Sequence, residues 1–128
     1  MPIHKDTAPK KILIVDDDEA ILTALSSYLE MEGYQVKTAM NGQAAIQELL
    51  RDGTVYDLIL LDLHMPIMNG WQFAHNLRTS GSPQQKKIPI VINSATDSIS
   101  ESELTPVFNG FIRKPFNLEQ LLQVCQKY

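Results

Sequence analysis

From Ile12 onward, short apolar runs alternate with stretches in which apolar residues recur every three or four positions. Ile12 to Val15 is an unbroken apolar run, the pattern of a strand covered on both faces. Ile21, Leu22, Leu25 and Leu29 then fall on one helical face, and Gly33 is placed to end that helix. Gln35 to Ala39 reads as a second, weaker strand. Asn41-Gly42 punctuates before a helix marked by Ala45, Ile46, Leu49 and Leu50, which stops at Asp52-Gly53. Asp57 to Leu61 is the third strand, Trp71, Phe73, Ala74 and Leu77 line the third helix, and Thr79 to Gln85 is a loop. Ile88 to Ile92 is the fourth strand, with Pro89 tolerable only near its start. Gly110 to Ile112 makes a short fifth strand. Leu118, Leu121, Leu122 and Cys125 form the last helical stripe, with Asn117 and Gln120 spaced as an N-cap and its reciprocal partner. A helix is also due between Ser94 and Phe108, but four serines and Pro106 predict a short or irregular one.

Strands beginning near residues 12, 35, 57, 88 and 110 of the sequence suit repeated strand-helix units on a parallel sheet, hence an α/β three-layer sandwich. The pattern occupies residues 12–128 as one domain, and the polar stretch 1–11 reads as a flexible N-terminal leader. With 128 residues there is room for a real core but for little beyond one domain. A hydrophobic content of 44% with 20% charged residues excludes disorder of the whole chain. Lys and Arg number 11 against 15 Asp and Glu, a net charge of −4, so there is no basic field to hold a nucleic acid. The lone Cys125 excludes an internal disulfide and a cysteine-based metal knot. No apolar run approaches the roughly 20 residues of a membrane helix, and the first residues lack a signal core. A soluble, cytoplasmic protein is the expectation.

In an open α/β sheet, ligands bind beyond the carboxyl ends of the strands. Here the first strand ends in Asp16-Asp17-Asp18, the third in Asp62, the fourth in Asn93-Ser94 and the fifth in Arg113-Lys114-Pro115. If the strand order is 2-1-3-4-5, these ends are neighbours and their acids, hydroxyl and amine converge. Two carboxylates about 4 Å apart repel by roughly 4 kcal/mol at an effective dielectric near 20, so the cluster calls for a cation. Oxygen-only ligands, with no cysteine or paired histidines nearby, select Mg²⁺, or Mn²⁺, over zinc. Lys114 and Ser94 then supply a cation and a hydroxyl for phosphoryl oxygens, and Asp62 is the candidate nucleophile, forming an aspartyl phosphate. Singly, each residue has a plainer reading. Asp18 suits an N-cap, Asp62 a turn, Ser94 a loop and Lys114 a solvated surface. Their joint placement at successive strand ends is what favours chemistry.

The segments ILIVDDD, LILLDLHMPIMNG, IVINSA and FIRKPF together resemble the receiver domain of two-component response regulators, from about Lys11 to Tyr128. The resemblance implies a flavodoxin-like sheet of order 2-1-3-4-5 with helices on both faces. It implies Asp62 as phosphoacceptor, Asp17 as a direct Mg²⁺ ligand, Asp16 as a metal-site acid acting through water, and the His64 backbone carbonyl as a further ligand. Ser94 matches the switch hydroxyl, Lys114 the phosphate-binding lysine, and Phe111 the aromatic switch, with the Lys114-Pro115 peptide cis. Because Phe111 lacks a hydroxyl to hold in solvent, an inward bias is expected of it. The side chains of His64 and Thr96 are expected to flank the site.

The implied function is a signalling switch that takes a phosphoryl group from a histidine kinase or histidine phosphotransfer protein. The response is a shift of the output face formed in the family by the fourth helix, the fifth strand and the fifth helix. Pro106 and a short Ser94 to Lys114 interval depart from the family on that face. The chain is read as a stand-alone regulator, monomer or weak dimer, with an unidentified protein target and no activity beyond its own phosphorylation and dephosphorylation. The alternatives are a receiver within a longer regulator or hybrid kinase, and an Mg²⁺-dependent phosphatase. The phosphatase type wants an acid two residues past the nucleophile, where this chain has His64. A flavin module of the same topology is disfavoured, because three aspartates repel its phosphate. His75 and His4 read as surface residues and Trp71 as a packing residue.

Overall fold

The computed structural model describes residues 9–51, 55–63, 65, 67–94, 108–113 and 117–128. Five strands, β1 (Lys11–Val15), β2 (Gln35–Ala39), β3 (Leu58–Asp62), β4 (Ile90–Ser94) and β5 (Gly110–Arg113), pair in parallel in the order 2-1-3-4-5. Helices α1 (Glu19–Met31), α2 (Gly42–Leu50), α3 (Gly70–Ser80) and α4 (Leu118–Lys127) cover the sheet. This is the flavodoxin-like three-layer architecture that the strand spacing and the motifs imply.

Alternation along each strand feeds two cores, as a period of two requires. Leu13, Val15, Ile59, Leu61, Ile90 and Ile92 face α2 and α3, meeting Ala45, Leu49, Phe73, Ala74 and Leu77. Ile12, Ile14, Leu58, Leu60 and Val91 face the other way, meeting Leu22, Leu25 and Leu29 of α1 and Leu121 and Cys125 of α4. Strands β1 and β3 are therefore buried on both faces, which is why they read as unbroken apolar runs. Trp71 packs edge to face on Phe108, with ring centroids 5.1 Å apart, in the packing role foreseen for it. Leu50 and Leu118, both placed on apolar stripes, are instead exposed, one ending α2 and the other opening α4.

The helix ends follow the sequence cues. Asp18 caps α1 by accepting from the Ala20 and Ile21 amides. The other end of α1 closes with two bonds, from Gly33 N–H to the Glu30 carbonyl and from Tyr34 N–H to the Leu29 carbonyl, with Gly33 at φ +98°. Asn117 and Gln120 form the reciprocal box that opens α4, and Asn69 and Gln72 form another at α3. Three strand starts differ by a residue or two from expectation, and β3, β4 and β5 each run one or two residues further. Strand β1 opens at Lys11. Asp57 stands just before β3, where its carboxylate accepts from the Lys11 amide at 2.8 Å. Strand β4 starts at Ile90, after a 3-10 turn over Gln85–Lys87, because Pro89 has no N–H for a ladder, although its carbonyl accepts from the Ile59 amide. The irregular helix expected between Ser94 and Phe108 lies outside the described residues for all but its two ends.

Candidate functional site

At the carboxyl edge of the sheet, one oxygen from each of Asp16, Asp17 and Asp62 lies within 4.8 Å of the others. Asp16 follows directly on β1, and its amide extends the ladder by donating to the Ala39 carbonyl. Its Oδ1 accepts the Asp18 amide at 2.9 Å, a tight turn that folds the Asp16 side chain inward and frees Asp18 to cap α1. Asp17, between them, is exposed. The triplet thus divides into a buried acid, an exposed acid and a cap.

Asp62 ends β3, all five residues of which are buried. It is held from behind by the start of α3, where the Gly70 amide donates to the Leu63 carbonyl. Gly70 lies so close that a Cβ there would stand 2.6 Å from the Asp62 carbonyl oxygen and 2.8 Å from Leu63 Cα. No larger residue fits without moving the backbone that carries Asp62. The loop between them contains Ile67, the only non-glycine residue at positive φ (69°) among the described residues, and 74% exposed. A β-branched residue in that region is strained.

Asp16 and Asp62 are 1% and 6% exposed. Three carboxylates this close, two of them out of water, repel one another strongly, and an all-oxygen set suits a hard divalent cation. The donor set therefore fits Mg²⁺.

Register places the remaining strand ends beside these acids. Asp62 pairs with Asn93 on β4, and Asn93 with Ile112 on β5. Ser94 is the last residue of β4, one step beyond the level of Asp62. Phe111 pairs with Ile92 and is partly buried against the α2 and α3 core. His64, Thr96, Lys114 and Pro115 lie outside the described residues. His75 is exposed on α3, as expected.

The sequence reading assigned no role to Asn93. It is 1% exposed, and neither its Oδ1 nor its Nδ2 has a hydrogen-bond partner among the described residues. The available signal was a polar residue closing the apolar run Ile90-Val91-Ile92, level with a candidate nucleophile.

A parallel sheet of this order, with acids gathered at its carboxyl edge, defines an open α/β module with a candidate cation site, and comparison with known proteins narrows the class. Residues 12–126 match the response regulator receiver domain family, and the chain belongs to it. Over 116 residues it is 35% identical to the response regulator MprA of Mycolicibacterium vanbaalenii, covering 89% of this chain and 48% of that protein. The Mycobacterium leprae MprA is 36% identical over 114 residues, covering 88% and 47% respectively. The chain thus spans about half the length of the curated relatives it matches. Among solved structures, the chemotaxis response regulator CheY4 of Vibrio cholerae superposes with a TM-score of 0.83 at 33% identity, covering 93% of this chain and 98% of its own. The receiver domain of the sensor histidine kinase PA1611 from Pseudomonas aeruginosa, solved with a magnesium ion coordinated in its active-site cleft, gives 0.82 at 25% identity, covering 94% and 98%.

Proposed function

We propose that the chain is a phospho-accepting switch whose acceptor is Asp62. The observation that carries this is the convergence of Asp16, Asp17 and Asp62, with one acid delivered by the central, doubly buried strand β3. Asp62 is fixed by its strand and by Gly70, and is flanked by acids that hold a cation without competing for the incoming group. An Asp62 carboxylate oxygen attacks the phosphorus of a phosphohistidine. The P–N bond breaks, the imidazole keeps the electron pair, and an acyl phosphate forms on Asp62. Hydrolysis reverses the gain: water attacks phosphorus, the P–O bond to Asp62 breaks, and inorganic phosphate leaves. The chain catalyses only these two steps on itself.

Asp16, Asp17 and Asp62, with the His64 backbone carbonyl, are the proposed holders of Mg²⁺, or of Mn²⁺ in its place. The neighbouring PA1611 receiver, which holds magnesium in its cleft, supports that choice. The bound ion supplies neutralisation of the acids and of the phosphoryl oxygens. Ser94 and Lys114 are assigned the remaining phosphoryl oxygens, and Ser94 and Phe111 the switch. The donor is a histidine kinase or histidine phosphotransfer protein in the cytoplasm, and the readout is contact with a protein target by a monomer or weak dimer. This reading holds for a receiver acting alone and for one inside a longer regulator or hybrid kinase.

The test is incubation with acetyl phosphate and Mg²⁺ followed by intact-mass measurement. Wild type gains one phosphoryl group and Asp62→Asn gains none. An adduct retained by Asp62→Asn places the chemistry elsewhere.

A further inference from the structure

The acid site has a fourth polar member. Asp16, Asp62 and Asn93 stand at one level on three adjacent strands: Val15 pairs with Leu61, so Asp16 is level with Asp62, and Asp62 pairs with Asn93. Alternation puts all three side chains on the α1 and α4 face, since their neighbours Val15, Leu61 and Ile92 point into the opposite core. Exposures of 1%, 6% and 1% make this row buried throughout. Asp16 lies on one side of Asp62, and the Asn93 carboxamide on the other, away from the acid triplet.

A buried amide with neither end paired among the described residues is costly, and native structures hold few such groups, often at functional sites. An apolar residue would suit this strand position, flanked as it is by Ile92 and Ile112. We propose that Asn93 is a further binding residue for the phosphorylated site: once Asp62 carries a phosphoryl group, Asn93 Nδ2–H donates to a phosphoryl oxygen, an acceptor that the unloaded carboxylate does not supply. The partner missing from the unloaded protein is gained on loading, so this amide destabilises the resting state and stabilises the phosphorylated one. The inference rests on the reading of Asp62 as acceptor.

Beryllofluoride with Mg²⁺, a stable mimic of the phosphoryl group, makes the claim an equilibrium one. Asn93→Val keeps a strand-compatible shape without the amide. The expected result has two opposite signs: a higher urea midpoint for the unloaded variant than for wild type, and weaker beryllofluoride binding by calorimetry, on the order of ten-fold or about 1.4 kcal/mol. Unchanged binding beside normal uptake by wild type overturns this inference and leaves the Asp62 reading intact. Failure of wild type to bind beryllofluoride or to take a phosphoryl group from acetyl phosphate overturns both. If Asn93→Val does not fold, Asn93→Ser and Asn93→Ala decide: serine, which keeps a donor, binds more tightly than alanine, and equal binding refutes the role.

Discussion

Two residues at positive φ carry opposite lessons. Gly33, at φ +98°, has nothing within 4 Å of where a Cβ would stand, so Gly33→Ala meets only backbone strain. We expect a loss of about 1–2 kcal/mol in urea denaturation. Ile67, at φ 69°, is the reverse case. Ile67→Gly releases roughly 1–3 kcal/mol of strain against about 0.5–1 kcal/mol of added chain entropy, for a net gain of about 1 kcal/mol by the same measurement. The acids legible in the sequence were those whose joint placement at successive strand ends is hard to explain otherwise: Asp16 and Asp17 after one apolar run, and Asp62 after another. What could not be read was their division of labour. The Asp18 cap was legible, but that Asp16 is buried and Asp17 exposed around one turn, the Asp18 amide on Asp16 Oδ1, was not. The strain at Ile67 and the orphaned amide of Asn93 were equally hidden, since each depends on neighbours supplied by pairing and loop geometry.

Among the elements, strands β1 and β3 were plain because burial on both faces leaves no polar alternation to confuse the pattern. Strand β4 was placed two residues early because Ile88 belongs to the apolar run by composition, while Pro89 delays the ladder. Strand order was never in the periodicity. It came from the motifs, and it is what brings the acids at the ends of β1 and β3 together. Helix α3 illustrates the dependence of that site on an element's start. At Gly70 alanine gains about 1 kcal/mol of helix propensity, but its Cβ falls 2.6 Å from the Asp62 carbonyl. The clash prevails, since backbone cannot rotate away. Gly70→Ala is expected to lose roughly 1–3 kcal/mol of stability on denaturation and to take up phosphoryl groups from acetyl phosphate more slowly than wild type.

On the scale of the whole molecule, the α1 and α4 core contains Cys125, fully buried, where desolvation pushes the thiol from its ordinary 9.0 up to about 11, with Lys10 opposing part of the rise. Burial likewise raises the Tyr34 phenol, helped by Cys125 and Glu32, and the Tyr56 phenol, helped by Glu48 and opposed by Arg51. Each keeps its proton longer when folded, so the stability it contributes is present below its ordinary value: the Cys125 share is lost as pH rises from 9.0 towards about 11, and the phenol shares are lost above 10.0. The urea midpoint should fall across that interval, and fall less steeply in Cys125→Ala. A flat profile would mean that the thiol is not desolvated. The far edge of the sheet is built differently from the acid edge. Near the end of α3, Arg78 donates to the Lys86 and Ile88 carbonyls and to Asn109 Oδ1. Asn109 also accepts the Ile90 amide on that oxygen and returns a bond from its own N–H to the Ile90 carbonyl. These ties run from the Arg78 guanidinium and backbone amides to neutral acceptors and need no bound metal, whereas the opposite rim gathers mutually repelling acids. Amide exchange should therefore form a gradient, with Ile90 and Asn109 slow whether or not magnesium is supplied. The amino-terminal edge of the sheet acts as a clamp, so that the acid-bearing rim can rearrange without unravelling the protein beneath it.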